Sequence, residues 1–346
     1  MNKKLLEYID SSFLAPLLLS SSITDISYNG VDLFYQDNEK GRQKSDIKIE
    51  THLAMDFIRQ IANLSEQQFS YSNPILDVSV GRYRINAVHG AIVRVENDRA
   101  VSFSIRIASS KLRISDDNSF MPHEIYSLLL TLIKCHISLV IGGETGTGKT
   151  ELQRLLLSHV EKNGRVIVID NIQELEAIRQ NADTDITSWQ VNDSILDASF
   201  ENLIRNAIRS NPDWLIVAEA RGKEMNDVLN AVMTGHPIIT TIHSKDIHSM
   251  PSRMARMVMM KNDLVTYDSI MDDIAKHFPI LLYLSRVVIN GKIFRYLSEI
   301  GEFCEETKRV SLIYEKKNGK GKFFPISNRM AQFLKNANFS EEMIHE

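Results

Sequence analysis

Apolar residues and turn residues alternate at short intervals in the N-terminal part of the chain. Ile23 to Tyr28, the pair Asn29-Gly30 and Val31 to Tyr35 read as strand, turn and strand, and a helical periodicity occupies residues 51 to 64. Gly81 to Val88 (GRYRINAV) and Val101 to Ile107 (VSFSIRI) read as further strands, the first carrying Arg84 and the second Arg106. This mixture predicts a small α+β domain over residues 1–110. In residues 108 to 122 (ASSKLRISDDNSFMP) the periodicity fades, polar residues dominate and Pro122 closes the stretch, so a linker is expected over 111–122.

From residue 123 the pattern becomes strand, turn and helix in succession, predicting a second domain over 123–346. Ile137 to Ile141 (ISLVI) is a continuous apolar run, and the helix expected after it places Leu152, Leu155, Leu156 and Val160 on one face. Val166 to Ile169, Leu215 to Val217 and Ile238 to Ile242 repeat the short apolar run. Between them, Phe200, Leu203, Ile204, Ala207 and Ile208 recur at helical spacing, as do Met225, Val228, Leu229, Val232 and Met233. Short apolar strands alternating with amphipathic helices predict an α/β fold with a mostly parallel sheet covered on both faces. A Met-rich helix (Met250, Met254, Met257) then leads to hairpins, one turning at Asn290-Gly291 and another running through KKNGKGK at 316 to 322.

Composition narrows the class without naming a partner. A chain of 346 residues with 43% apolar and 24% charged residues can bury the cores of two domains. Forty Lys+Arg against 44 Asp+Glu leave a formal charge of -4, which makes no global case for nucleic-acid binding. Cys135 and Cys304 lie far apart without CxxC spacing, so neither a disulfide framework nor a zinc knuckle is implied, and a reducing cytoplasm fits best. The apolar run Phe13 to Leu19 is too short to span a bilayer and contains Pro16; membrane association is expected to need a partner.

The chemistry concentrates where the apolar runs end. GGETGTGKTE at 142 to 151 fits G-x-x-x-x-G-K-[ST], with Gly143, Gly146 and Gly148 leading to Lys149 and Thr150. Backbone N–H groups of the loop, through Glu144, Thr145 and Thr147, can wrap a phosphate, and the helix behind it adds its positive dipole end. Lys149 can reach the β- and γ-phosphates of ATP, and the Thr150 hydroxyl can ligate Mg²⁺. The second run ends in Asp170, with Glu174 a turn later; the third at Ala218-Glu219; the fourth at His243, after Thr240 and Thr241. Ligands of open α/β sheets bind beyond the carboxyl ends of the strands, so these four termini form one expected site. Glu219, directly after a fully apolar strand, is the candidate to polarise the attacking water. Blander readings stay open: a helix cap for Asp170, an ion pair with Arg221 for Glu219, a hydrogen-bonded core histidine for His243. His236, His243 and His248 have no acidic or cysteine partner at ligand spacing, so a metal site among them is not expected.

GETGTGKT at 143 to 150, AIRSNPDWLIVAEARGKE at 207 to 224 and TGHPIITTIHS at 234 to 244 together resemble the secretion-superfamily ATPases, the hexameric motors of type II and type IV secretion, type IV pili and conjugation. Phosphate loop, acidic box, Walker B and histidine box follow in the family's order over roughly 140 to 260. SITDISYNGVDLFYQD at 22 to 37 and RINAV at 84 to 88 look most like the type IV secretion and conjugation branch, whose N-terminal domain caps the nucleotide. The resemblance implies an N-terminal α+β domain before a RecA-like P-loop ATPase domain, with Arg84 and Arg106 approaching the phosphates and Arg209 and Arg221 acting at the active site or the subunit boundary. It also implies a homo-oligomeric, hexameric ring in the cytoplasm, attached peripherally to inner-membrane components of a secretion or conjugation machine.

Two departures bear on rate. Ala218-Glu219 stands where the family usually has Gly-Glu, and Asp170-Asn171 where it usually has Glu-Asp; the latter shortens one acid and neutralises the next, so slow hydrolysis is expected. The tetracysteine zinc module of many type II secretion motors is absent, which favours the type IV branch over that one; a pilus assembly or retraction motor is the alternative within the superfamily, and the N-terminal segment argues mildly against it. A rival of another class is a P-loop nucleic-acid-binding protein that uses the basic tract at 316 to 322.

Overall fold

The computed structural model describes residues 2–108, 112, 114, 119–170, 175, 184–192, 195–261 and 264–336. The chain divides into two compact units, Met1–Lys111 with Val288–Phe294, and Leu112–Val287 with Arg295–Glu346.

The first unit begins with α1 (Asn2–Asp10) and α2 (Ala15–Leu18). Then come β1 (Ile23–Tyr28), β2 (Leu33–Asp37), β3 (Gly41–Lys44), α3 (Thr51–Leu64), β4 (Ile75–Val80), β5 (Tyr83–Val88), the short pair β6 (Arg94–Val95) and β7 (Asp98–Arg99), and β8 (Ser102–Ile107). Six strands form an antiparallel sheet in the order β3-β2-β1-β8-β5-β4. Side chains alternate sides along a strand. Tyr83, Ile85 and Ala87 of β5 therefore join Ile26 and Ile105 in a core closed by Leu5 and Ile9 of α1 and Phe57, Ile58 and Ile61 of α3. Arg84 takes the opposite side, in register with Arg106, which is in turn opposite Asp25.

The second unit contains α4 (His123–Lys134), β9 (Leu139–Gly143), α5 (Lys149–Leu157), β10 (Arg165–Asp170), β11 (Asp185–Gln190), α6 (Phe200–Ile208), β12 (Trp214–Val217), α7 (Met225–Met233) and β13 (Ile238–His243). It continues with α8 (Met250–Met259), α9 (Tyr267–His277), β14 (Ile280–Ile289), β15 (Lys292–Phe303), β16 (Val310–Lys317), β17 (Lys320–Phe323) and α10 (Asn328–Asn336). The sheet runs β11-β10-β12-β13-β9-β14-β15-β16-β17. Its pairs from β11 to β14 are all parallel, whereas β15 to β17 pair antiparallel.

The parallel strands are apolar on both faces because both are covered. Leu139, Ile141, Val166, Val168, Ile216 and Ile239 face α4, α5 and α10. Val140, Ile167, Leu215, Val217, Ile238 and Ile242 face α6, α7, α8 and α9. Truncating one of these fully buried residues, as in Ile141→Ala, would cost about 2–5 kcal/mol. The α+β and mostly parallel α/β architecture expected from the sequence is therefore present. Both Asn-Gly hairpin turns are too, with positive φ at Asn290 and Gly291 and again at Asn318 and Gly319. β11 was not anticipated: DITSWQ is only partly buried, and its mixed polarity gives no strand periodicity.

Candidate phosphate-binding site

β9 delivers the chain into Gly142-Gly143, and α5 restarts it at Lys149; the loop between depends on glycine for steric reasons. Gly143 has φ +153°, and a Cβ there would lie 2.7 Å from Thr147 Oγ1 and 2.8 Å from the Leu284 carbonyl oxygen, so a side chain would fill the space the loop encloses. Gly148, at φ +99°, is the N-cap of α5 and offers no side-chain acceptor. The dipole at such a helix start favours an anion. Thr147 Oγ1 donates to the Glu144 carbonyl at 2.9 Å, closing the loop on itself. The Thr150 side chain sits half-buried in the first turn of α5. A cleft of about 520 Å³ opens beside the loop; Lys245, Arg253 and Arg256 line it with Glu144, Thr145 and His243, a balance that suits an anion.

Because parallel strands finish at one edge, β12 and β13 bring their terminal residues to the same place. Lys149, only 8% exposed, donates from Nζ to the Gly143 carbonyl at 2.9 Å and the Glu144 carbonyl at 3.0 Å, and lies 3.3 Å from His243 Nδ1. His243 Nε2 is 2.7 Å from Glu219 Oε1, without the alignment of a hydrogen bond. Glu219 Oε2 accepts from Arg221 Nε at 2.9 Å and Nη2 at 2.7 Å. Burial holds the His243 imidazole below its ordinary pKa, helped by the Lys149 ammonium and opposed by the Glu219 carboxylate. A neutral ring suits the contact with Lys149, whose ammonium can donate to an unprotonated Nδ1. Thr241 Oγ1 donates to the Ala218 carbonyl at 2.7 Å and so fixes the backbone on which Glu219 is mounted.

Asp170 ends β10 at the same edge; it is 5% exposed and shares its side of the strand with Val166 and Val168, the side covered by α5. Glu174 lies outside the described residues. Arg209 is not brought to the loop: it caps the C-terminal end of α6, before β12 begins at Trp214, and so sits at the edge where the parallel strands start. Arg84 and Arg106 belong to the first unit, where Arg84 pairs with Asp77 at 3.0 Å and Arg106 with Asp25 at 3.3 Å. The ion pair of Glu219 with Arg221, the blander reading of that carboxylate, is present in the structure alongside its approach to His243.

Two contributors escaped the sequence. Gln153, fully buried in α5, donates from Nε2 to the carbonyls of Val217 at 3.0 Å and Ile239 at 3.2 Å, tying the phosphate-loop helix to β12 and β13. The one available signal was a polar residue inside the Leu152–Leu156 apolar stripe. Arg295, on β15, donates from Nε to the Gly146 carbonyl at 2.7 Å, across 149 positions of sequence, and had no local signal at all.

The family described as Type II/IV secretion system protein matches residues 95–286. An uncharacterised protein of Bacillus anthracis is 32% identical over 315 residues, spanning 87% of this chain and 69% of that protein. The type IV secretion system protein VirB11 of Bartonella quintana is 25% identical over 242 residues, 59% of this chain and 67% of that protein. Among solved structures, the Legionella pneumophila ATPase DotB shares the fold with a TM-score of 0.65 at 19% identity, over 85% of this chain and 81% of that one.

Proposed function

This chain belongs to the type II/IV secretion system protein family, on its type IV branch, and from that premise we propose that it binds and hydrolyses ATP as the motor of a type IV secretion or conjugation machine. The observation that supports this most is the unbroken contact from Lys149 through His243 to Glu219 at one strand edge, beside a loop that a Cβ would fill. In this reading Lys149 is the cation for the β- and γ-phosphates and its neighbour Glu219 the carboxylate for the attacking water. Arg221 holds one oxygen of Glu219, leaving Oε1 as the base facing His243, and the neutral His243 ring is placed to sense the γ-phosphate.

The residues present suit Mg²⁺ as well: Thr150 would hold it directly and Asp170 through water. When bound, it neutralises charge on the β- and γ-phosphates. Glu174, Arg84 and Arg106 keep the roles that the family resemblance gives them. Arg209, at the far edge of the sheet, can serve a phosphate site only across a subunit boundary, which suits a homo-oligomeric ring, in the family a hexamer. In this reading the protein works in the cytoplasm against inner-membrane components; among the described residues no helix is long and apolar enough to cross a membrane. Asp170-Asn171 makes the motor slow. The basic tract at 316 to 322 is better read as a hairpin than as a nucleic-acid contact. Lys316 donates to the Ser119 carbonyl, Lys317 pairs with Glu315, and Lys322 lies over the Phe324 ring.

Binding and chemistry separate in two variants. Lys149→Ala should weaken ATP binding and abolish turnover together, whereas Glu219→Gln should bind ATP normally and lose on the order of 10²-fold in turnover. A fluorescent ATP analogue reports affinity and phosphate release reports rate. Near-normal hydrolysis by Glu219→Gln would reduce that carboxylate to the partner of Arg221.

A further inference from the structure

The strands that end in the site's acidic and histidine residues do not complete the loop's surroundings; β14 and β15, on the other side of β9, reach it too. The Leu284 carbonyl of β14 would press on any Cβ at Gly143, and Arg286 of the same strand brings Nη1 to 3.4 Å of where a Gly146 Cβ would be. From β15, the Arg295 stem passes 3.8 Å from the corresponding point at Gly148, and Nε donates to the Gly146 carbonyl. β15 is firmly held where Arg295 leaves it. Leu297 N–H donates to the Phe120 carbonyl at 2.9 Å, and the buried Ser298 hydroxyl donates to the Tyr283 carbonyl at 2.9 Å.

We propose that Arg295 is a positioning residue for the phosphate loop: it fixes the plane of the Gly146–Thr147 peptide at the loop's apex. The proposal rests on the nucleotide reading above and deepens it. A trans peptide is planar, with C=O and N–H pointing in opposite directions, so an arginine that pins the Gly146 carbonyl also directs the Thr147 N–H away from itself. Gly146, with φ +76°, has the broad conformational freedom of glycine, and nothing in its own chemistry selects one peptide orientation. A loop left to sample several orientations would lose entropy when its amides converge on a phosphate; a loop fixed beforehand has already done so. Charge alone would not need this geometry. An Nε–H in a guanidinium plane is directional, which separates arginine from lysine at this position.

Nucleotide affinity tests this without reliance on turnover. Arg295→Ala should bind a fluorescent ATP analogue about tenfold more weakly than wild type, the scale of one charge-assisted hydrogen bond. KM should rise while kcat stays within about threefold, because the loop grips ground state and transition state alike. The melting temperature without nucleotide should barely move, and the rise on adding nucleotide should shrink. Arg295→Lys, which keeps the charge and loses the planar donor, should bind nearly as weakly as the alanine variant; it also decides the matter should the alanine variant fail to fold. An Arg295→Ala protein that binds like wild type, or an Arg295→Lys protein that fully restores binding, overturns the proposal. If wild type itself binds no nucleotide, or Lys149→Ala binds as well as wild type, the nucleotide reading has failed first and the role of Arg295 falls with it.

Discussion

Two of the settings in which arginines meet carboxylates in this protein contrast: the strand edge around Lys149 and the open face of the first unit's sheet. At the edge, Glu219 is 17% exposed and Lys149 only 8%, and both are held by backbone and side chains from several strands. On the open face, Asp25, Arg106 and Arg84 line up in register across β1, β8 and β5, with Arg106 47% and Asp25 40% exposed. The difference comes from strand direction. Parallel strands all finish at one edge, so residues far apart in sequence collect there, and partial burial strengthens each interaction between them. Neighbours in an antiparallel sheet finish at opposite edges, so charged residues that meet do so mid-strand, in water, where a pair contributes about 0–1 kcal/mol.

The sharpest way to break this contrast is to fill the edge. Gly143→Ala would place a methyl against Thr147 Oγ1 and the Leu284 carbonyl at distances real Cβ atoms do not adopt, in a backbone conformation alanine resists. It should destabilise the protein by about 2 kcal/mol or more and abolish nucleotide binding, measured by urea midpoint and analogue titration. An equally stable variant would mean that the edge is no more tightly constrained than the open face.

A smaller effect sharpens the same contrast through pH. His243 is held below the ordinary imidazole pKa by burial and by Lys149 and Arg221, against Glu219. A depressed histidine contributes its full stability above the unfolded value of 6.5 and loses it as pH falls from there through the folded value. Wild type should therefore lose stability between pH 7.5 and 5.5 faster than His243→Gln. The gap is small because the ring is 42% exposed and screened. Comparing the two proteins cancels the other groups that titrate in that range. Parallel losses would show that Lys149 and burial do not govern the ring.

Much of this was legible locally. A strand, a glycine loop and a helix are written contiguously at 139 to 157, and α3, α6, α7 and α8 announce themselves by periodicity because each buries one stripe. The strand-end residues were legible through a rule of topology. What sequence does not carry is the choice among partners once the edge is assembled. His243 bridges to Lys149 across 94 positions, Gln153 seeks two backbone carbonyls that any strand could offer, and Arg295 arrives from a hairpin whose own pattern concerns only its turn. Such contacts depend on which strands lie side by side, and the placement of β9 between β13 and β14 is fixed by packing of the whole sheet.

The smallest expected effect concerns the open face. The family resemblance gives Arg84 and Arg106 to the nucleotide phosphates, yet each is engaged here with a carboxylate, Asp77 and Asp25. An exposed pair holds its arginine only weakly, so Asp77→Asn and Asp25→Asn should change stability by no more than about 0.5 kcal/mol. If the arginines serve phosphates, releasing them from competing carboxylates should tighten ATP binding by about twofold to threefold, the ratio that so weak a competitor can withhold. Arg84→Ala and Arg106→Ala should move affinity the other way, again with little change in urea midpoint. Opposite signs from the aspartate and arginine variants separate a phosphate role from a general electrostatic one. Replacing a carboxylate anywhere on the surface would also favour an anion, but only in proportion to unscreened charge, so that contribution fades as salt is raised past the Debye regime. A gain that survives at high salt supports direct contact. Affinities that do not respond to any of the four substitutions would leave Arg84 and Arg106 as surface ion-pair partners and confine the phosphate chemistry to the strand edge.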